Sequence, residues 1–475
     1  MKRTWIWTFT ILLGLFTSMS IGAWWGYGQT DGMVEPATKM SIDDEQYEKM
    51  LRAYKLIASN YVEKIDEEQL AEGAIKGMLA ELKDPYSVYM DKKASEQFEQ
   101  SLDATFQGIG AEVSEVDGKI VIVAPFKNSP AEKAGIRPND QIVAVDGKEV
   151  AGLRVFEVVD KIRGKQGTKV KITILRSGSD KQVTFTITRD EIPLETIHSS
   201  IKEVNGKDIG YIEITQFSEK TAKDFKTALT NLEKQNVAGL ILDVRGNPGG
   251  LLSSVEDILD TLLPKDKPYI QIQDRQGKTE KFYTTLAKKK QYPIVVLIDR
   301  GSASAAEILA AAMRDAGGYK LIGEDSFGKG TVQQAVSLGD GSEIKMTFFK
   351  WLTPNGKWIH RDGIAPDVAV DQPKYFYQNP LHLKEDLSKN DNSELVKTAQ
   401  EALIANGFAP GRNDGYFDEQ TEVSVKAFQR SANLSVTGTV NQETAEKMQT
   451  NIAQMIKDEK NDLQLKAALH LLVTQ

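Results

Sequence analysis

The stretch GEDSFGKGT, residues 323–331, places Gly323 and Gly328 ahead of Lys329 with four residues between the glycines, which is the skeleton of a phosphate-binding loop. Two details remove that reading. Gly330 stands where a serine or threonine would ligate magnesium, and the following residues, TVQQAVSL, are β-formers where such a loop must open a helix. Lys329 therefore needs different chemistry. A lysine can act as a general base only while its amine is neutral, and burial in apolar surroundings is what lowers its pKa. Bringing an amine from about 10.4 to about 7 costs on the order of 4–5 kcal/mol. The site has to be dry and well packed, and Phe327 with the neighbouring glycines is expected to make it so.

A nucleophile for that base stands 25 residues earlier. The apolar run YPIVVLID leads into RGSASAAEILAAA, so Ser304 falls where a strand meets a helix N-terminus. Free amides and the helix dipole there favour developing negative charge. A serine in that position is by itself an ordinary N-cap, and three features raise it above one. The strand in LILDVRGNPGG ends in Gly249 and Gly250, either of which can offer an amide to an oxyanion. The amide of Ala305 supplies a second donor. Strand alternation puts Lys329, Thr331 and Gln333 on one face, where Gln333 can orient the amine. A Ser–His–Asp hydrolase built on His360 and Asp362 would leave SFGKGTVQQ without a purpose. A catalytically silent adaptor would leave the set Ser304, Lys329 and Gln333 without one.

These residues must be held by several domains, since 475 residues exceed what one core organises. The chain has no cysteine, which excludes disulfides, zinc–thiolate sites and cysteine nucleophiles, and its four scattered histidines give no metal site. No cofactor is expected. A net charge of −8 argues against nucleic acid as a partner. Lys2 and Arg3 precede a charge-free segment long enough to cross a bilayer, so residues 1–30 are expected to be a single-pass membrane anchor or a cleaved signal. In either case the remaining domains lie outside the cytoplasm, at the cell membrane or secreted.

Residues 41–103 carry apolar side chains at helical spacing and are read as two helices, the second stopping at Asp84-Pro85. Residues 455–475 repeat the pattern. The C-terminal helix is expected to pack with the N-terminal helices, within one chain or across a homodimer.

Residues 104–192 are short strands with glycine turns around SPAEKAGIRPNDQIVAVDG, with a helix from about Leu153 to Ile162. The segment resembles a PDZ domain of the bacterial, permuted type. The resemblance implies that a peptide C-terminus adds as a strand to a sheet edge, its carboxylate held by the amides of Gly108, Ile109 and Gly110. Arg163, just after the helix, is read either as a coupling residue between peptide and catalytic core or as a surface arginine.

From 193 to 378 near-continuous apolar strands alternate with helices, the pattern of a largely parallel sheet covered on both faces. In 391–453, DGYFDEQT and TGTVNQET repeat at an offset of 23 residues, with Asp418 and Asn441 placed as helix caps. This unit resembles the three-helix peptidoglycan-binding domain of cell-wall enzymes, which makes peptidoglycan a partner unless the unit serves structure or protein contacts.

GSASAAEI, GEDSFGKGTVQQ, LDVRGNPGGLL and RDGIAPDV together resemble the carboxyl-terminal processing proteases, or tail-specific proteases, and the added wall-binding unit resembles their Bacillus-type members. The resemblance implies an α/β, crotonase-like core and a serine endopeptidase that recognises the C-terminal tails of exported proteins. It further implies Ser304 as nucleophile, Lys329 as base, Gln333 as its partner, and Gly249 or Gly250 with Ala305 as oxyanion donors.

Overall fold

The structure is a computed structural model and describes residues 44–474, apart from 103–104, 117–118, 127–128, 138–139, 154, 177–181, 379–380, 382 and 384. Two helices open it, α1 (Asp44–Asn60) and α2 (Glu67–Ala80). Asp66 caps α2 by accepting the amides of Glu68 and Gln69, and the chain leaves the helix before Asp84-Pro85, since a residue preceding proline is held out of the helical region. Strand β1 (Val88–Met90) and α3 (Lys92–Leu102) follow. Tyr47, Met50 and Ile57 on α1 are exposed.

The next unit consists of β2 (Thr105–Gly108), β3 (Ala111–Val116), β4 (Lys119–Pro125), α4 (Pro130–Ala134), β5 (Gln141–Val145), β6 (Lys148–Glu149), α5 (Val155–Ile162), β7 (Lys169–Leu175), β8 (Gln182–Thr188) and β9 (Asp190–Pro193). Its main sheet runs β3-β4-β5-β7-β8, with β3 at one edge, and β2 pairs separately with β9. Ile122, Ile142, Val158, Val170 and Ile172 fill its own core.

The central unit has two sheets. One runs β10 (Ile197–Val204), β11 (Lys207–Ile214), β12 (Gly239–Asp243), β15 (Ile294–Ile298), β16 (Lys320–Gly323) and β19 (Val368–Ala369). All its pairs are parallel except β10 with β11. The helices α6 (Thr221–Lys234), α7 (Leu252–Leu259) and α8 (Ala305–Asp315) bury Leu240, Leu242, Val296 and Ile298 on one face. The alternate residues Ile241, Val295 and Leu297 point the other way, as strand geometry requires, and form a second core. The other sheet joins β1, β13 (Pro268–Gln273), β14 (Thr279–Tyr283), β17 (Thr331–Ser337) and β18 (Glu343–Leu352).

Helices α9 (Glu394–Ala405), α10 (Glu419–Ser431) and α11 (Gln442–Lys457) share a small core. Asp418 and Asn441 cap α10 and α11 through the amides of Thr421 and Thr444, both at 2.9 Å, as the repeat suggested. That core also takes in Leu381 and Leu387 from the segment before residue 391.

Two expectations are corrected. The last helix, α12 (Leu463–Thr474), does not pack on the N-terminal helices; Leu465, Ala468 and Leu472 cover the second face of the parallel sheet. An apolar face on that sheet has to be buried, and α12 is the element that reaches it. Placement at a membrane is also overturned. Among the described residues no helix is long and apolar enough to cross one. The longest, α1, has 17 residues and carries charges along its length, where a span needs about 20 predominantly apolar ones. The segment 1–30 on which that expectation rested lies outside the described residues.

Candidate active site

Ser304 follows the end of β15 and occupies the N-cap position of α8, yet it does not behave as a cap. Its φ is +53°, rare for a residue with a side chain, and its buried Oγ makes no hydrogen bond. The backbone is instead fixed from below. Glu307, fully buried three residues into the helix, accepts the Ser304 amide at 2.8 Å. The same carboxylate accepts the amides of Gly328 at 2.7 Å and Lys329 at 2.8 Å, and the Ser326 hydroxyl at 2.6 Å. Because Oε2 takes the amides of both Ser304 and Lys329 at 2.8 Å each, those two nitrogens lie within about 5.6 Å of each other. Burial pushes the Glu307 carboxyl up, and its four donors pull it back. Sequence reasoning missed Glu307, although Ser-x-x-Glu before an apolar run is the signature of a capping box.

The loop after β12 closes over the serine. Asn247 accepts the Ala303 amide on its carbonyl at 2.9 Å and ties its own side chain to Ile214 O at 2.6 Å. Gly249 lies so close that a Cβ there would come within 2.9 Å of Ser304 Cβ and 3.1 Å of the Ala305 nitrogen, and its φ of +109° also demands glycine. Its amide donates to Asn247 Oδ1 at 2.8 Å. At Gly250 the neighbouring backbone bridge to Phe217 runs through Gly249 O and Leu251 N, so the Gly250 amide is not spent on it. The Ala305 amide belongs to the first helical turn, whose N–H groups have no partner within the helix.

Lys329 enters just before β17. It is 3% exposed and its carbonyl accepts the indole N–H of Trp351 at 2.8 Å, while Trp358 donates to Gly330 O at 2.7 Å. Its Nζ lies 4.8 Å from the centre of the Tyr86 ring. Burial, helped by the charge of Lys345, lowers the amine to about 7, against the pull of Glu307 and Asp84. Dry surroundings are present, but Phe327 does not provide them: its ring is 54% exposed. Tyr86 and Trp351 pack there instead.

Gln333 is buried on the face shared with Thr331, whose hydroxyl accepts its Nε2 at 2.9 Å; Thr347 accepts the same nitrogen at 3.0 Å. Gln333 Oε1 is buried and has no partner. Asp84, Thr331, Thr347, Lys350, Trp358 and His360 border a cleft of about 410 Å³ beside these residues. The rival triad is not assembled. His360 stacks on Trp358 with ring centres 5.1 Å apart, its Nδ1 has no partner, and Asp362 is exposed to solvent.

In the β2–β9 unit, Ile109 is buried and the carbonyls of Ile109 and Gly110 accept from Ala131 at 2.8 Å and Phe126 at 2.9 Å. Gly110 has φ +73°, and a Cβ there would sit 2.5 Å from Ser129 Cβ. Gly108 ends β2, paired with Asp190. Arg163 is exposed, its guanidinium 5.1 Å from the centre of the Phe106 ring within the same unit.

Residues 208–370 match the model of peptidase family S41, residues 107–187 that of the PDZ domain, residues 392–448 a peptidoglycan binding domain, and residues 14–94 the activating protease CtpB N-terminal domain. The chain is 54% identical over 441 residues to carboxy-terminal processing protease CtpB of Bacillus subtilis (strain 168), covering 93% of this chain and 92% of that protein. It is 43% identical over 432 residues to carboxy-terminal processing protease CtpA of the same organism, covering 91% of each. Among solved structures it is similar to the photosystem II D1 C-terminal processing protease, at 30% identity over 68% of this chain and 92% of that one, with a TM-score of 0.42.

Proposed function

This chain belongs to the carboxy-terminal processing proteases of peptidase family S41, serine peptidases that here carry a PDZ domain, and from that premise we propose that it cleaves peptide bonds with a Ser304–Lys329 dyad. The observation that carries this reading is the common anchoring of Ser304 and Lys329 on the Glu307 carboxylate, which holds a hydroxyl-bearing backbone beside one bearing a buried amine whose pKa is lowered to about 7.

The neutral Lys329 amine takes the Ser304 hydroxyl proton as Oγ attacks the scissile carbonyl. The oxyanion that forms is stabilised by the Ala305 amide and by an amide of the Gly249–Gly250 pair. The commitment of Gly249 to Asn247 favours Gly250. Collapse of that intermediate transfers the lysine proton to the leaving amine and leaves an acyl ester on Ser304. Water, deprotonated by the same lysine, then releases the new C-terminus. Gln333 orients the amine between these transfers.

The PDZ domain selects the substrate by its free C-terminus. The edge strand β3, beside α5, offers a place for an added strand, and the Gly108–Gly110 loop would meet its terminal carboxylate with backbone amides. The α9–α11 unit holds peptidoglycan, and the exposed apolar residues of α1 support pairing of two copies. For Arg163, stacking on Phe106 favours a role within the PDZ domain over coupling to the core.

The test is kinetic. Ser304→Ala and Lys329→Ala each abolish hydrolysis of a protein substrate, and the double variant is no slower than either, as for residues acting as a unit. Substantial turnover by Lys329→Ala near neutral pH would refute the dyad.

A further inference from the structure

The amide of Gln333 is oriented from outside the protease core. The turn that follows α2 docks on β18: Ser87 Oγ accepts the Thr347 amide at 3.1 Å, and the Thr347 hydroxyl donates to Asp84 Oδ2 at 2.7 Å. Asp84 also accepts the Ser87 hydroxyl at 2.7 Å and the Tyr86 amide at 3.0 Å, which locks the turn. Burial works to raise the Asp84 carboxyl, but these donors outweigh it and hold it below its usual range, so it is ionised and only accepts.

A hydroxyl has one hydrogen. With that hydrogen committed to Asp84, Thr347 can show Gln333 only a lone pair. Gln333 must therefore turn its NH2 toward Thr347, where the 3.0 Å bond is found, and its Oε1 away from it. That oxygen is the buried acceptor left without a partner, and the Tyr86 ring of the same turn covers Lys329 Nζ.

We propose that Asp84 and Thr347 are positioning residues that fix the Gln333 amide with its oxygen available to the Lys329 amine, so that the segment joining the N-terminal helices to the core completes the active site. The inference rests on the reading of Lys329 as base with Gln333 as its partner. Without the relay only Thr331 holds the amide, and a flipped amide would offer its NH2 to the lysine, occupying the lone pair that the neutral amine needs as base and clashing with the ammonium form. A merely structural Thr347 would lower the amount of folded enzyme and leave the turnover of the folded fraction unchanged.

The experiment is steady-state cleavage of one peptide by the full chain carrying Thr347→Val, Thr347→Ser, Gln333→Ala, or Thr347→Val with Gln333→Ala, each normalised to active sites titrated by an acylating inhibitor. Thr347→Val is expected to lower kcat at least about tenfold with KM within about twofold, Thr347→Ser to restore it to within about threefold, and the double variant to be no slower than Gln333→Ala. A normal kcat in Thr347→Val, or losses that multiply in the double variant, overturns the relay while leaving Gln333 in place. If Gln333→Ala keeps the normal kcat, the assignment of Gln333 as the lysine's partner falls, and the relay with it.

Discussion

Changing the pH probes the Lys329 amine most directly. With the amine lowered to about 7 by burial and by Lys345, the neutral fraction is about one half at pH 7 and falls about tenfold for each further unit of acid. The acid limb of kcat/KM should therefore break near pH 7, with activity at pH 5.5 about thirtyfold below the plateau. A lysine at its ordinary 10.5 would give no break there, and activity would climb through pH 9. The measurement is kcat/KM from pH 5 to 9.5 on an uncharged peptide, in one buffer series of fixed ionic strength. Lys345→Met removes one of the lowering influences and should move the break to higher pH. Stability gives an independent reading of the same group. Between about pH 7 and 10.5 the folded chain holds this lysine neutral while the unfolded chain holds it charged, so the unfolded state binds more protons and stability rises with pH across that window. Lys329→Met removes this penalty, which is on the order of 4–5 kcal/mol at and below pH 7, and its advantage should shrink as pH rises toward 10.5. A rate that rises log-linearly past pH 9, or a Lys329→Met advantage independent of pH, would refute the depressed amine.

The other predictions concern the supports of the site. Arg245 pairs with Asp243 and with Asp462 at the start of α12, at 2.6 and 2.8 Å; Arg245→Met leaves two buried carboxylates unpaired and should destabilise the α/β unit by about 3–5 kcal/mol in urea unfolding, whereas a change under about 1 kcal/mol would show that α12 is held by its apolar face alone. Amidating a substrate's C-terminus should slow its cleavage at least about tenfold, equivalent to about 1.4 kcal/mol, and Gly110→Leu should reproduce that loss on the free-tailed substrate; equal rates for free and amidated tails would remove the PDZ domain from recognition. Deleting residues 381–453 should abolish co-sedimentation with purified peptidoglycan and leave peptide cleavage measurable, and persistent sedimentation at moderate salt would refute wall binding by this unit.

The sequence alone placed most of the elements, though not α3 or β1, and singled out the candidate side chains. Ser304 at a strand–helix junction, Lys329 before a β-rich run and Gln333 on the same strand face are local facts, because the period of a strand and the end of a helix are written in neighbouring residues. The caps of α10 and α11 at Asp418 and Asn441 were legible for the same reason. Contacts between distant segments were not. Nothing local assigns α12 to the back of the parallel sheet, since an amphipathic helix states that it needs a partner and not which one. Nothing local says that Phe327 turns to solvent while Tyr86, from a turn far upstream, covers the lysine. Glu307 could be read as the far half of a capping box, but only the folded chain brings Gly328 and Lys329 onto its other lone pairs. The depressed amine belongs to tertiary structure altogether, because desolvation depends on what packs around a group, and here those neighbours come from three separate parts of the chain, the Asp84–Tyr86 turn, Glu307 and the strand carrying Lys345 and Trp351.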